Sequence, residues 1–189
     1  MSRIGQPRRG PANRPFHALE RTFSFVERLP NPNGVFVPEN RDVIVHQEYQ
    51  TKTGGRFDAV DVTDDVHDLV SRAGVTTGSA LVFSPHTTCC VLVCAEAEQA
   101  AKALAETMSI VAPENGYYAH DDLDVRTENL VEDEPANAPA HILHVVLGKA
   151  SESVPIVGGR LALADEQRIF FVELDSSRPR RYLIQVLGE

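Results

Sequence analysis

No stretch of this 189-residue sequence approaches the roughly 20 consecutive apolar residues that a membrane-crossing helix requires. Apolar runs such as 91–95 have the length of core strands. Arginines mark the N-terminus, but neither an apolar segment of signal-peptide length nor a small-residue cleavage pattern follows them, so a cytoplasmic protein is expected. Cysteine is scarce: Cys89, Cys90 and Cys94 fall within six residues, an odd count whose spacing fits neither a disulfide framework nor the CxxC of a zinc ribbon. On a strand Cys90 and Cys94 share one face and Cys89 takes the other, which suggests reduced thiols packed in a core. Also missing are HExxH, the GxGxxG and Walker spacings of phosphate loops, and any basic face spread over the chain, whose formal net charge is −9. That balance argues against a nucleic-acid footprint over the whole protein.

Positive charge collects instead in residues 1–21, where five arginines stand against Glu20. With Pro7, Pro11, Pro15, Pro30, Pro32 and Pro38, residues 1–40 read as a Pro/Arg-rich extension. It is a disordered tail or, alternatively, an RNA- or partner-contacting one. Residues 41–189 read as one domain, large enough to bury a core without staples. Alternating, β-branched segments at 43–49 and 56–62 predict two strands paired through Thr53-Gly54-Gly55. Thr63 is placed to cap a short amphipathic helix with Asp64 and Asp65 in its first turn and Gly74 beyond its end. Residues 79–84 and 87–93 follow as buried strands, interrupted at Ser84-Pro85. An alanine-rich helix is predicted over 96–110, an acidic loop over 120–136 and a third helix over 138–147. Short strands near Val154, Leu161, 169–174 and 182–187 complete the chain, with Gly158-Gly159 as a hairpin turn. Strands and helices in this order give an α+β fold rather than alternating βαβ units.

Seven histidines carry most of the chemical interest. His86 opens Pro-His-Thr-Thr, His120 ends Tyr-Tyr-Ala-His, and His141 and His144 stand three apart on a predicted helix, where both could reach one site. Neutral imidazoles converging from separate segments suit zinc or a similar divalent ion, although ordinary hydrogen-bonding histidines fit the pattern as well. His17, His46 and His67 read as structural or surface residues, and His144 as a possible exposed neighbour of His141. Glu173 and Asp175, followed by Arg178, Arg180 and Arg181, form a second cluster, suited to an anion site or to mutual ion pairs at a subunit contact.

An ordered set of short stretches resembles the YjbQ-like family: Asp61-Val62-Thr63, His86-Thr87-Thr88, Tyr117-Tyr118-Ala119-His120, Asn137-Ala138-Pro139-Ala140-His141, Leu147-Gly148-Lys149-Ala150-Ser151, Gly159-Arg160-Leu161 and the segment 173–180. The resemblance implies a β-sandwich with flanking helices that assembles as a homotrimer. It also implies a polar site near the subunit boundary, with His120, His141 and His86 as ligands of a divalent metal such as zinc. His86 and Glu173 are the implied catalytic candidates, and Ser151, Arg160 and Arg178 the contacts to a phosphorylated small molecule. Some members are associated with a thiamine-phosphate synthase activity, a transferase reaction that joins a pyrimidine pyrophosphate to a thiazole phosphate.

The chain departs from the family pattern at three places. Ala164-Asp165-Glu166-Gln167 replaces a Gly-Thr-Trp-Gln stretch in a sequence without tryptophan, Cys94-Ala95-Glu96 replaces an Asn-Glu pair, and Ser176-Ser177 replaces Gly-Pro. These changes bear on activity more than on fold. A metal-dependent enzyme acting on a phosphorylated small molecule is the first expectation; a non-catalytic trimer that binds a metal or an anion is the second.

Overall fold

The computed structural model describes residues 43–95, 98–128, 130 and 135–189, with backbone alone for 98–101. The expectation for residues 1–40 lies outside the described residues. Among the described residues, eight strands and three helices follow one another as β1 (Val43–Lys52), β2 (Ala59–Asp61), α1 (Thr63–Ala73), β3 (Thr77–Phe83), β4 (Cys89–Ala95), α2 (Glu98–Val111), α3 (Ala138–Leu147), β5 (Ser151–Val157), β6 (Arg160–Leu161), β7 (Gln167–Glu173) and β8 (Pro179–Gly188). They form two antiparallel sheets, one of five strands in the order β1-β8-β3-β5-β6 and one of three in the order β2-β7-β4. The fold is α+β, as expected.

Alternation along the strands decides the layering. The inward residues of β8 (Tyr182, Ile184, Val186), β3 (Ala80, Val82) and β5 (Val154, Ile156) meet Cys89 and Val91 of β4 and Ile169 and Phe171 of β7, and α1 contributes Val66, Leu69 and Val70 to the same core. Burying each large aliphatic or aromatic side chain there stabilises the fold by about 1.5–3 kcal/mol. The opposite face of the small sheet, with Cys90, Val172 and Leu174, packs on Ala140 and Leu143 of α3 and on Ala112. Sheet, sheet and helix therefore make three layers, and α3 lies against the outer side of the three-stranded sheet. Cys89 and Cys90 are buried in separate cores, on opposite faces as their spacing requires, whereas Cys94 is exposed and is no core residue.

The local chemistry follows the sequence closely at the turns. Gly74 and Gly148 end α1 and α3 in left-handed conformation, and Gly158 and Gly159, with φ of 58° and 76°, make the tight turn between β5 and β6. Two expectations need correction. The segments 43–49 and 56–62 do not form a hairpin: β1 pairs along its length with β8, and β2 with β7 in the other sheet. The reason lies between them, where Thr53 is held by Arg178 and Ser177 and the Phe57 amide donates to the Glu173 carbonyl, so the chain crosses from one sheet to the other. Thr63 is the first residue of α1 rather than its cap. Asp61 Oδ1 accepts from the Thr63 amide at 2.9 Å, and the Thr63 hydroxyl accepts from the Ile169 amide of β7 at 2.8 Å.

Candidate functional site

The helix α3 carries Ala138, His141, Ile142, Val145 and Val146 on one face, at the spacing of a single helical stripe. With Tyr117, Tyr118, Ala119 and His120 from the preceding loop, this stripe lines an open pocket of about 640 Å³. Its walls are almost wholly apolar, and the two imidazoles are its polar groups of note. Their ring centroids lie 4.8 Å apart. Each ring is oriented from behind. Asp121 Oδ1 lies 2.9 Å from His120 Nδ1 and also accepts from the Ala138 amide at the start of α3, which ties the loop to the helix. His141 bonds to the Thr87 backbone, and burial together with neighbouring His120 holds its imidazole below the usual pKa, in the neutral form.

Behind the pair stands a polar cluster. Arg178 Nη2 lies 2.5 Å from Asp175 Oδ2, which also accepts from Asn137 Nδ2 at 3.1 Å. The Asp175 charge is felt at His141. Arg126, the cation of the acidic loop, places Nη1 3.1 Å from His120 Nε2. A carboxylate or backbone acceptor on one ring nitrogen, leaving the other to face a ligand, is the arrangement that usually supports metal-bound histidine. Two imidazoles on one tetrahedral ion, at the usual metal–nitrogen distance, would have centroids roughly 5 Å apart, close to the separation seen. Among the described residues no third His, Cys, Asp or Glu joins them in a group able to hold a metal ion.

The other residues singled out in the sequence stand elsewhere. His86 lies in the connection between β3 and β4, where its Nε2 accepts from the Arg181 amide at 3.1 Å and its ring meets Phe171 edge-on. Burial and the charges of Arg180 and Arg181 hold it neutral. Glu173 is fully buried. Its carboxylate accepts from Arg180 Nε at 2.6 Å and Nη2 at 2.7 Å, from the Thr53 hydroxyl at 2.9 Å and from the Asp175 amide at 3.0 Å. Burial alone would raise its pKa, but these donors, Arg180 foremost, outweigh that effect and keep it ionised. Arg180 also reaches the Thr88 hydroxyl. Ser151 and Arg160 occupy opposite ends of the β5–β6 hairpin: Ser151 pairs with Phe83, and Arg160 with Val157 six residues further on, about 20 Å away. One small ligand cannot touch both within a single chain. His144 turns from the pocket, its Nδ1 2.8 Å from the Cys89 carbonyl.

The sequence missed the groups that orient the pair, Asp121, Asp175, Asn137 and Arg126. A lone arginine in an acidic loop, and a carboxylate immediately after His120, are the signals that could have pointed to them.

Geometry of this kind defines a class: a two-sheet α+β protein with a pocket holding two histidines against the helix of its outer layer. The particular family follows from comparison with known proteins. A family model described as UPF0047 protein YjbQ-like matches residues 47–189, and the chain belongs to that family. A UPF0047 protein of Archaeoglobus fulgidus is 35% identical over 141 residues, covering 74% of this chain and 99% of that protein. UPF0047 protein YugU of Bacillus subtilis is 31% identical over 140 residues, covering 74% and 96%. Among solved structures, a YbjQ-like protein of unknown function from Sulfolobus solfataricus P2 superposes with a TM-score of 0.68 at 26% identity, over 79% of this chain and all of that one. A hypothetical protein from Aeropyrum pernix K1 gives 0.65 at 32% identity, over 77% of this chain and 99% of its own. No helix among the described residues is long and apolar enough to cross a membrane.

Proposed function

We propose that this protein is a metal-dependent enzyme acting on a phosphorylated small molecule in the pocket beside α3, with His120 and His141 as the metal-holding pair. The observation that carries the reading is the facing of two imidazoles, 4.8 Å apart, each oriented by an acceptor on its other side, at an open pocket. A divalent ion, zinc being one that suits imidazole, would act there as a Lewis acid and offset charge on a phosphoryl or pyrophosphoryl group. The chain's own residues hold the imidazoles in place and supply an apolar wall to the pocket. Thiamine-phosphate synthase-like transfer is the reaction the family resemblance suggests, and a homotrimer the assembly. Exposed Tyr117, Val145 and Val146 beside the pocket, together with the separation of Arg160 from Ser151, suit a site completed by a neighbouring copy. The test combines sedimentation with an assay of product formation from a pyrimidine pyrophosphate and a thiazole phosphate, with and without added divalent ion. A trimer that makes product only with metal, and not as His120→Ala or His141→Ala, supports the proposal; a monomer, or no product under any condition, refutes the enzymatic form.

One observation favours the second reading, a non-catalytic metal- or anion-binding trimer. Glu173 and His86, the implied catalytic groups, are both engaged, Glu173 by a bidentate arginine and His86 by a backbone amide. Retention of an ion without turnover, in the same assay, would select it.

A further inference from the structure

The walls of the pocket beside α3 are more apolar than their residue types require. Tyr117 and Tyr118 each bring a phenol, yet each hydroxyl gives its proton to the protein: Tyr117 donates to Asp122 Oδ2 at 3.0 Å and Tyr118 to the Pro113 carbonyl at 2.8 Å. Tyr118 folds back so closely that a Cβ on residue 116 would come within 2.8 Å of its ring, and glycine there is what lets the ring lie as it does. The loop therefore offers aromatic rings, and α3 offers Ile142, Val145 and Val146. Among the described residues no Asp, Glu, Lys or Arg lines the pocket; Asp121 and Arg126 touch His120 without lining it. A carboxylate, phosphate or ammonium set against the tyrosines and valines would lose water and gain no partner. At about 640 Å³ the pocket falls within the range of small-molecule sites, roughly 300–1,000 Å³. Tyr117, Val145 and Val146 stand exposed around it, apolar surface that an apolar group would cover.

We propose that this pocket seats the uncharged, hydrocarbon-like part of a small molecule, a single ring of phenyl size lying between the loop tyrosines and the valines of α3. This goes beyond the reading of a phosphorylated substrate, which names only the charged end of a ligand. Aromatic rings pack edge-to-face or offset against one another, which Tyr117 and Tyr118 permit, and the branched side chains of α3 suit the ring's other face. The two imidazoles are the polar groups at hand for one hydroxyl or amide carried on the ring. Occupancy by such a group does not depend on an ion at the histidines.

The experiment adds benzyl alcohol, benzoate or benzylammonium to full-length protein in EDTA and follows the backbone amide shifts of residues 117–120 and 140–146 in ¹⁵N-labelled wild type, Val145→Asp and Val157→Asp. Val157, exposed on β5 at 65% against 77% for Val145, is the control for an added charge. Thermal melts and sedimentation of the same samples record folding and assembly. Benzyl alcohol is expected to shift those amides saturably and to bind about tenfold more tightly than either charged compound. Val145→Asp should weaken it about fivefold and Val157→Asp should not. Equal binding of the three compounds, or a loss shared by both variants, overturns the proposal. No shift with benzyl alcohol in wild type also overturns it; if Val145→Asp alone then breaks a larger assembly, the occupant is a second copy of this chain. With EDTA present throughout, failure of the metal reading leaves these outcomes unchanged, and an ion found by elemental analysis in protein that binds no benzyl alcohol refutes this proposal alone.

Discussion

Two clusters of ionisable groups in this molecule differ in burial and in how far their polar atoms are engaged. Glu173 at the end of β7 and Arg180 at the start of β8 are buried, 0% and 8% exposed; Arg180, Thr53 and the Asp175 amide all donate to the carboxylate, and Arg180 also reaches Thr88. Beside α3, His120 and His141 stand half-buried at an open pocket, His120 between Asp121 and Arg126 and His141 bonded to the Thr87 backbone. The first region is saturated and the second is not. A buried ion pair whose lone pairs are filled can hold loops together, but has nothing left to offer a ligand. This contrast is why the proposed site is centred on the histidines rather than on Glu173.

The largest effect that could break the comparison is in stability. Removing one partner of the buried pair, as in Arg180→Ala or Glu173→Ala, leaves the other charge uncompensated and should cost about 3–5 kcal/mol, read as a lowered denaturation midpoint. A loss below about 1 kcal/mol would mean that water reaches the pair and that Glu173 is open to ligands after all. Thr53→Val is a gentler probe. It removes a donor to Glu173 and an acceptor for the Arg178 amide, and is expected to cost about 1–2 kcal/mol by chemical denaturation. If the protein is unaffected, Thr53 does not anchor the crossing between sheets.

pH sharpens the contrast further. His86 and His141 are held neutral in the fold, so between their depressed values and the ordinary imidazole value of 6.5 the unfolded chain binds more protons. Stability should therefore be complete above about pH 6.5 and decline as the pH falls below it. Melting temperature measured from pH 7.5 to 5.5 checks the sign: a fall is expected, shallower in His141→Ala, and a rise on acidification contradicts the burial of neutral imidazoles. Smallest of all should be the effect of His120→Ala on stability, below about 1 kcal/mol for a loop residue outside the two cores.

Much of the fold was legible because local patterns and packing agree. The αL glycines at 74 and 148, the Gly158-Gly159 turn, the apolar spacing of α3 and the opposite faces of Cys89 and Cys90 each follow from backbone geometry alone. The false hairpin of 43–49 with 56–62 shows the limit: strand partners depend on contacts remote in sequence, here Thr53 with Arg178 and Tyr49 stacked on Tyr182 across β1 and β8. In the site, His120 and His141 were legible as histidines beside irregular backbone. That they face each other, while His86 is engaged by Arg181 and His144 by Cys89, depends on how a loop closes over a helix, which no local pattern records.

The central claim is that the ligand chemistry resides at His120 and His141 and not at the buried Glu173 knot. Elemental analysis of purified, folded protein, comparing wild type with His120→Ala, His141→Ala and His86→Ala, tests it most directly. The account predicts a bound divalent ion in wild type that is lost in the first two variants and retained in the third; no ion in wild type, or an ion lost only with His86, would contradict it.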